Sequence, residues 1–246
     1  MREHLHHLVE TNKVELLVIN VENAAGGFGV TPAICEEFFD LGADVLTTGN
    51  HVWDKKEIND YLGSASNGSS AARVLRPANY PSKAPGHGHY EGITRSGLAY
   101  AVLNLQGRVF MIHNDCPFRT ADRLLEQIKA KVILVDFHAE ATSEKVAMGW
   151  YLDGRVTAVL GTHTHVPTAD TRVLTKGTAY QTDVGMTGPY DGVIGVEKEQ
   201  VLARFLTSMP GRFDAARGDV RLSGVLLSCD PQTGRANAIE RIMLGQ

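Results

Sequence analysis

Four short apolar segments, each followed directly by polar side chains, constrain the fold of this chain most strongly. They are rich in β-branched residues, as strands covered on both faces of a sheet usually are, and they span residues 14–21, 43–48, 131–137 and 156–160. Helical patterns lie between them, at residues 31–41, 54–62, 120–129 and 143–152. This alternation of strand and helix predicts βαβ units and parallel strands.

Other segments predict antiparallel pairs. Hairpins are expected around Gln106-Gly107, from residues 98–104 to 108–113, and around Lys176-Gly177, while two further strands flank residues 230–234. A helix is expected over residues 197–208. Parallel and antiparallel strands together indicate an α/β fold in which two sheets pack face to face with helices outside. With no repeat or linker in the sequence, we expect one domain spanning residues 1–246.

Composition excludes several functional classes. The chain has 24 Lys+Arg and 28 Asp+Glu, a net charge of −4, which argues against a surface for duplex nucleic acid. No apolar run approaches the roughly 20 residues of a membrane-spanning helix, and the N-terminus lacks the apolar core of a secretory signal. The three cysteines are scattered without a C-x-x-C motif, so reduced thiols in a cytoplasmic protein are expected.

Each of the four apolar segments ends in side chains that commonly bind metal ions. Ligands of open α/β sheets lie outside the carboxyl ends of the strands, so these side chains are expected to converge on one edge. One carboxylate, two carboxamides and four imidazoles form a nitrogen and oxygen set that suits Zn, Fe, Mn or Ni better than Mg or Ca. The set is Glu22, Asn23, Asn50, His51, His138, His163 and His165.

Each member also has a structural interpretation. A single histidine at a strand end is more often a hydrogen-bonded structural residue, which applies to His138. Asn50-His51 after a glycine could form only a turn, and Glu22-Asn23 could begin a loop. His163-x-His165 is the stronger signal, because alternate residues of an extended segment can face one site. Four such coincidences at strand ends are much rarer than any one of them.

Several motifs resemble a known family. Gly49-Asn50-His51 and Gly161-Thr162-His163-Thr164-His165 resemble the G-N-H and G-x-H-x-H blocks of calcineurin-like metallophosphoesterases. Longer strings resemble the bacterial YmdB-type branch: V-E-N-A-A-G-G-F-G at residues 21–29, D-F-H-A-E-A-T-S-E-K at 136–145 and G-T-H-T-H-V-P-T-A-D at 161–170. The resemblance covers essentially the whole chain. Asn79-Tyr80 and Pro117-Phe118-Arg119 also fit this branch.

The resemblance implies a four-layer α/β/β/α sandwich of two mixed sheets, with a dinuclear metal centre that hydrolyses 2′,3′- or 3′,5′-cyclic nucleotides. It implies two transition-metal ions, iron foremost with manganese or zinc as alternatives, and a metal-bound hydroxide as the nucleophile. It also implies roles for individual residues. Glu22 would bridge the metals, Asn23 and His165 would serve the first, Asn50, His138 and His163 would serve the second, and His51 would be the general acid.

The resemblance also has one departure. Family members begin with a strand ending in Gly-Asp, whose aspartate is a ligand of the first metal, whereas Met1–Glu10 match the helix that follows that strand. We therefore expect the strand and its ligand to be absent, with the second metal held better than the first. Neither Asp40 nor Asp44 obviously replaces the missing ligand.

Supporting roles and competing functions complete the expectations. Asp136, Glu140 and Glu144 could orient the imidazoles, or they could be surface charges or helix caps. Arg119 could bind a substrate phosphate or form a salt bridge near the helix start. Two other functions stay open, a non-catalytic nucleotide- or metal-binding regulator and another metallohydrolase such as an amidase. The partners expected are a small phosphodiester substrate and, from the resemblance, further copies in a homodimer or homotetramer.

Overall fold

The computed structural model describes residues 2–245 of the chain, with side chains from residue 4 onward. Its helices are α1 (Arg2–Thr11), α2 (Pro32–Asp40), α3 (Glu57–Gly63), α4 (Pro117–Leu125), α5 (Thr142–Leu152) and α6 (Lys198–Thr207), with a 3₁₀ turn at Ser70–Arg73. Its strands are β1 (Val18–Asn20), β2 (Val45–Thr47), β3 (Val74–Leu75), β4 (His89–Ile93), β5 (Ala99–Gln106), β6 (Val132–His138), β7 (Ala158–Thr162), β8 (Arg172–Val173), β9 (Ala179–Gln181), β10 (Gly188–Pro189), β11 (Val220–Cys229) and β12 (Ala236–Gly245). None of the described helices is long and apolar enough to cross a membrane.

Local sequence explains where α2 begins. Thr31 is the N-cap, and its hydroxyl accepts a hydrogen bond from the Ile34 amide at 3.4 Å. Pro32 follows in the first turn, where its missing N–H costs no helical hydrogen bond. The helix ends at Asp40, in agreement with the predicted helix over residues 31–41.

A six-stranded sheet forms the centre, in the order β4-β5-β6-β7-β9-β8. Strands β5, β6, β7 and β9 run parallel, while the outer strands β4 and β8 are antiparallel to their neighbours. Alternate residues of β5 and β6 point to one face and pack against α4 and α5. The largest core cluster lies there, and it includes Leu103, Leu105, Leu124, Val135, Phe137, Met148, Leu152 and Tyr180.

Two three-stranded sheets cover the opposite face of the central sheet. The parallel sheet β1-β2-β3 packs Val45 and Leu75 against Tyr100 and Val102 of β5, and its outer face carries α2 and α3. The antiparallel sheet β10-β11-β12 packs over β7 and β9. The predicted α/β/β/α layering is confirmed. In the described residues the second β layer is two sheets with separate hydrogen bonding rather than one mixed sheet.

The predicted hairpin around Gln106-Gly107 is wrong. Strand β5 ends at Gln106, and residues 108–113 form no strand. The Glu144 carboxylate accepts the backbone N–H groups of Arg108 and Val109 at 3.0 and 3.2 Å, so these groups are bound by α5 rather than by a neighbouring strand. Strand β5 pairs instead with β4, while the hairpins β8–β9 and β11–β12 are confirmed.

Candidate metal centre

The side chain of His138 is the centre of a polar cluster between the central sheet and the β1-β2-β3 sheet. His138 is the last residue of β6, and its side chain is 1% exposed. Its Nε2 atom lies 2.9 Å from Asn50 Oδ1, 3.1 Å from Glu22 Oε2 and 3.1 Å from His163 Nδ1. Gly49 makes this approach feasible, because a Cβ atom there would lie 2.3 Å from the imidazole of His138.

Hydrogen bonding on the far side of the ring fixes the tautomer of His138. The Thr162 hydroxyl donates its hydrogen to Asp136 Oδ1 at 2.7 Å, so it acts as an acceptor toward His138 Nδ1 at 3.0 Å. Nδ1 therefore carries the hydrogen and Nε2 presents a lone pair to the cluster. Asp136 itself is anchored by Asn20 and Thr47, which extend from the facing sheet.

His163 is oriented in the same way by a carboxylate. Its Nε2 atom lies 3.0 Å from Glu140 Oε2, so this nitrogen donates its hydrogen outward and Nδ1 faces His138 with a lone pair. His163 adopts a φ of +104°, in the left-handed region that costs a non-glycine residue roughly 1–3 kcal/mol. Such strain is concentrated at functional sites.

The resulting arrangement fits a metal ion. Four atoms with lone pairs face one another without a hydrogen between them, and they belong to Glu22, Asn50, His138 and His163. Such atoms repel one another unless a cation lies among them. Their separations from His138 Nε2 of 2.9–3.1 Å are close to the about 3.3 Å between tetrahedral ligands that each lie about 2.0–2.1 Å from a metal. Ligand atoms of Glu22, His138 and His163 all lie within 4.8 Å of one another, which is close enough for them to bind one ion.

Burial and neighbouring charges favour the metal-binding protonation states. Burial alone would raise the pKa of Glu22, but the pKa is lowered overall, and the backbone N–H of His51 that donates to the carboxylate acts in this direction. Burial lowers the pKa of His163 to about 4, with the nearby His138 acting in the same direction. A carboxylate and a neutral imidazole are the forms that bind metal ions.

A second pair of predicted ligands lies beside this cluster. Asn23 Nδ2 is 3.1 Å from His165 Nε2, and His165 Nδ1 is 3.0 Å from the Ile194 carbonyl oxygen, to which it donates. The Oδ1 atom of Asn23 is buried without a hydrogen-bond partner. An amide and an imidazole are ligand types that transition-metal ions accept, and the buried Asn23 oxygen is open to a cation, although His165 Nε2 accepts from the Asn23 N–H in this arrangement.

His51 lies next to the cluster without joining it. Its backbone N–H donates to Glu22 Oε1 at 2.8 Å, and its ring Nδ1 is 2.8 Å from Asp54 Oδ2. The ring of Phe28 packs edge-on against the imidazole, with centroids 5.1 Å apart. In the part of the chain that the structure describes, Nε2 of His51 has no partner. Sequence reasoning missed Asp54, although its position three residues after His51 was the available signal.

Four supporting predictions have different outcomes. Glu140 contacts His163 as expected, whereas Asp136 reaches His138 only through Thr162, which sequence reasoning had not assigned a role. Glu144 does not orient an imidazole, because its carboxylate binds the backbone after β5. Arg119 is exposed in the first turn of α4, where it hydrogen-bonds Cys116, and the described residues place no carboxylate at ion-pair distance from it.

Comparisons with known proteins give a family match and a similar relative. A family model described as YmdB-like protein matches residues 1–242. A relative from Bacillus subtilis (strain 168), named 2′,3′-cyclic-nucleotide 2′-phosphodiesterase, is 49% identical over 246 residues, covering 99% of this chain and 90% of the relative.

Two solved structures share the fold. One is a hypothetical protein from Thermus thermophilus, with a TM-score of 0.90 and 44% identity, matched over 100% of this chain and 92% of that chain. The other is described as a novel phosphatase from Mycoplasma pneumoniae, with a TM-score of 0.90 and 30% identity, matched over 99% of this chain and 88% of that chain.

Proposed function

The chain belongs to the YmdB-like family of metallophosphoesterases, and on that premise we propose that it hydrolyses 2′,3′-cyclic nucleotides. The observation that carries the proposal is the convergence of Glu22, Asn50 and His163 on Nε2 of His138. The activity for which the Bacillus subtilis relative is named supports the substrate class. Two metal ions are part of the proposal.

The proposal assigns each ligand to one ion or to both. Asn50, His138 and His163 would hold one ion, Asn23 and His165 the other, and Glu22 would contact both. When bound, such ions supply Lewis-acid chemistry that activates water and neutralises charge on the phosphoryl oxygens. The hydrogen bonds from His138 to Thr162 and from His163 to Glu140 keep the ligating nitrogens free of hydrogen.

His51 would act as the general acid. Its Nδ1–H donates to Asp54, which orients the ring and leaves Nε2 to carry the transferable proton. The ring is 31% exposed, so a substrate oxygen can reach it. The bond between the Glu22 carboxylate and the backbone N–H of His51 keeps this acid next to the metal ligands.

The reaction balances without another reactant. Water adds its oxygen to phosphorus, the bond from phosphorus to the 2′ oxygen breaks, and that oxygen takes the proton from His51. The products are a 3′-phosphate and a free 2′-hydroxyl, and the proton lost by the water returns to His51 through solvent. A positioned general acid contributes roughly 10²–10⁴-fold to the rate.

A direct experiment combines metal analysis with product analysis. The protein loaded with Mn²⁺ is expected to convert 2′,3′-cyclic AMP to 3′-AMP, as separated by liquid chromatography, with 3′,5′-cyclic AMP as the comparison substrate. The variant His51→Ala is expected to keep its Mn²⁺ and lose at least about 100-fold in turnover. Metal-loaded protein that hydrolyses no phosphodiester would contradict the proposal and favour a binding role, and amide hydrolysis instead would indicate another hydrolase.

Location and assembly are the remaining parts of the proposal. Cys35, Cys116 and Cys229 are unpaired, which suits a reducing compartment such as the cytoplasm. A homodimer or homotetramer is retained as a prediction, and light scattering after size-exclusion chromatography measures it.

A further inference from the structure

A buried ion pair lies behind the segment that carries His163 and His165. Lys145 of α5 and Asp183, which follows β9, are 2.6 Å apart, and both side chains are only 1% exposed. The other pairs of lysine or arginine with a carboxylate in the described residues are at least 36% exposed on both sides. Burying two charges is unfavourable unless further hydrogen bonds satisfy them. The groups around this pair should therefore supply such bonds.

Further hydrogen bonds do satisfy Asp183, and they come from the metal-site segment. Its Oδ2 atom accepts the backbone N–H of Thr164 at 3.0 Å and the hydroxyl of Thr164 at 2.8 Å, in addition to the Lys145 ammonium. Its Oδ1 atom accepts the backbone N–H of Gly185 at 2.9 Å. Thr164 lies between His163 and His165, so the Asp183 carboxylate is hydrogen-bonded to the centre of the segment that carries both histidines.

The segment needs such an anchor because its backbone is strained. His163 has a φ of +104° and His165 a φ of +67°, and both lie in the left-handed region that disfavours side chains with a Cβ atom. Relaxation of either residue would turn its imidazole away from Glu22 or Asn23. Two charge-assisted bonds to the residue between them oppose that relaxation.

We propose that Lys145 and Asp183 are positioning residues of the metal centre, holding Thr164 so that His163 and His165 present their lone pairs together. Neither residue contacts the ligand atoms directly, so the pair acts through the backbone and hydroxyl of Thr164. The inference rests on the proposed metal-dependent function, since it concerns the geometry of the ligands assigned there.

The charge of Asp183 is the first part to test. An asparagine offers one acceptor and one donor, whereas the pocket supplies donors on both sides of the carboxylate, so Asp183→Asn places at least one N–H against another donor. We expect the affinity for Mn²⁺, measured by isothermal titration, to fall about 10- to 100-fold. Asp191→Asn is the matched control, because Asp191 forms a 2.6 Å pair with Lys198 on the surface, and it should leave Mn²⁺ affinity unchanged.

Thr164 tests whether the pair acts through this segment rather than through general stability. Thr164→Val removes one hydrogen bond at a half-buried position, and it should lower Mn²⁺ affinity about tenfold. Thr164→Ser keeps the hydroxyl and should restore the affinity. In the double variant with Asp183→Asn, the valine should have a smaller effect than in the wild-type protein, because both substitutions weaken the same contact.

The outcomes separate the inference from the function beneath it. Wild-type protein that binds no Mn²⁺ overturns the metal centre and this inference together. Wild-type protein that binds Mn²⁺ while Thr164→Val and Asp183→Asn bind it equally well overturns the positioning role alone. Losses that simply multiply in the double variant also overturn it, because they indicate two independent structural effects. If Asp183→Asn does not fold, Thr164→Val with its serine control decides alone.

Discussion

The Thr162 hydroxyl links His138 to Asp136 in the candidate metal centre, and its removal should affect the tautomer of His138 in particular. It accepts from His138 Nδ1 at 3.0 Å and donates to Asp136 Oδ1 at 2.7 Å, and Thr162 is buried. Thr162→Val keeps the shape of the side chain but leaves the His138 N–H without a partner. Asp136 keeps its hydrogen bonds from Asn20 and Thr47, so the main effect of the substitution is on the imidazole of His138.

Two magnitudes follow from this loss. A buried N–H without an acceptor costs about 1–3 kcal/mol of folding free energy, which lowers the Tm of a protein of this size by roughly 2–12 °C. The imidazole is also free to take the other tautomer, which places a hydrogen on Nε2, where the metal should bind. Loss of such a partner typically lowers metal affinity about 10- to 100-fold.

The assay compares Thr162→Val with Thr178→Val. Thr178 is also buried, and its hydroxyl is hydrogen-bonded too. It donates to the Val156 carbonyl at 2.6 Å, lies 3.4 Å from the Leu152 carbonyl and accepts from the Gly154 N–H at 2.9 Å. Both variants should unfold at lower temperature by calorimetry, but only Thr162→Val should lose Mn²⁺ affinity by isothermal titration. Equal Mn²⁺ binding by the two variants would refute the reasoning about the tautomer.

Three further predictions test other parts of the site. Asp54→Asn should lower kcat on 2′,3′-cyclic AMP about tenfold. Turnover of bis(4-nitrophenyl) phosphate should change little, because its good leaving group needs no proton from His51. Equal losses on both substrates would contradict this prediction. Gly49→Ala should abolish Mn²⁺ binding in equilibrium dialysis, since the added Cβ would lie 2.3 Å from the His138 ring; retained binding would show that the ring can shift without consequence. Removing metal with EDTA should lower the Tm measured by calorimetry. Adding Mn²⁺ at about 1,000 times its Kd should raise the free energy of unfolding by about 4 kcal/mol. An unchanged Tm would exclude a tightly bound ion.

Much of the site could be predicted because it depends on strand ends. Glu22 and Asn50 come shortly after the parallel strands β1 and β2, and His138 ends β6 of the facing sheet. The apolar runs of these strands are visible in the sequence, and their carboxyl ends lie at the same edge, where Asn20 and Thr47 reach Asp136. The helices α2, α3, α5 and α6 and the strands β2, β6 and β7 followed from the same patterns, whereas β3, β4 and β10 had no predicted counterpart. Prediction was less accurate where pairing depends on distant contacts, as after β5, where Glu144 binds backbone groups that a hairpin would have used.

The supporting hydrogen bonds could not be predicted from local pattern. Thr162, Lys145 and Asp183 are separated in sequence from the groups they hold, and none belongs to a motif whose spacing implies its partner. A buried lysine also contradicts the usual preference of that residue for the surface. Only the folded arrangement shows that its charge faces a carboxylate behind the histidine segment.

Anomalous diffraction from crystals soaked in MnCl₂ locates bound ions without reference to activity. An anomalous peak is expected among Glu22 Oε2, Asn50 Oδ1, His138 Nε2 and His163 Nδ1, at bonding distance from each atom. A peak elsewhere, or none at full Mn²⁺ occupancy in solution, would show that these four side chains converge for another reason.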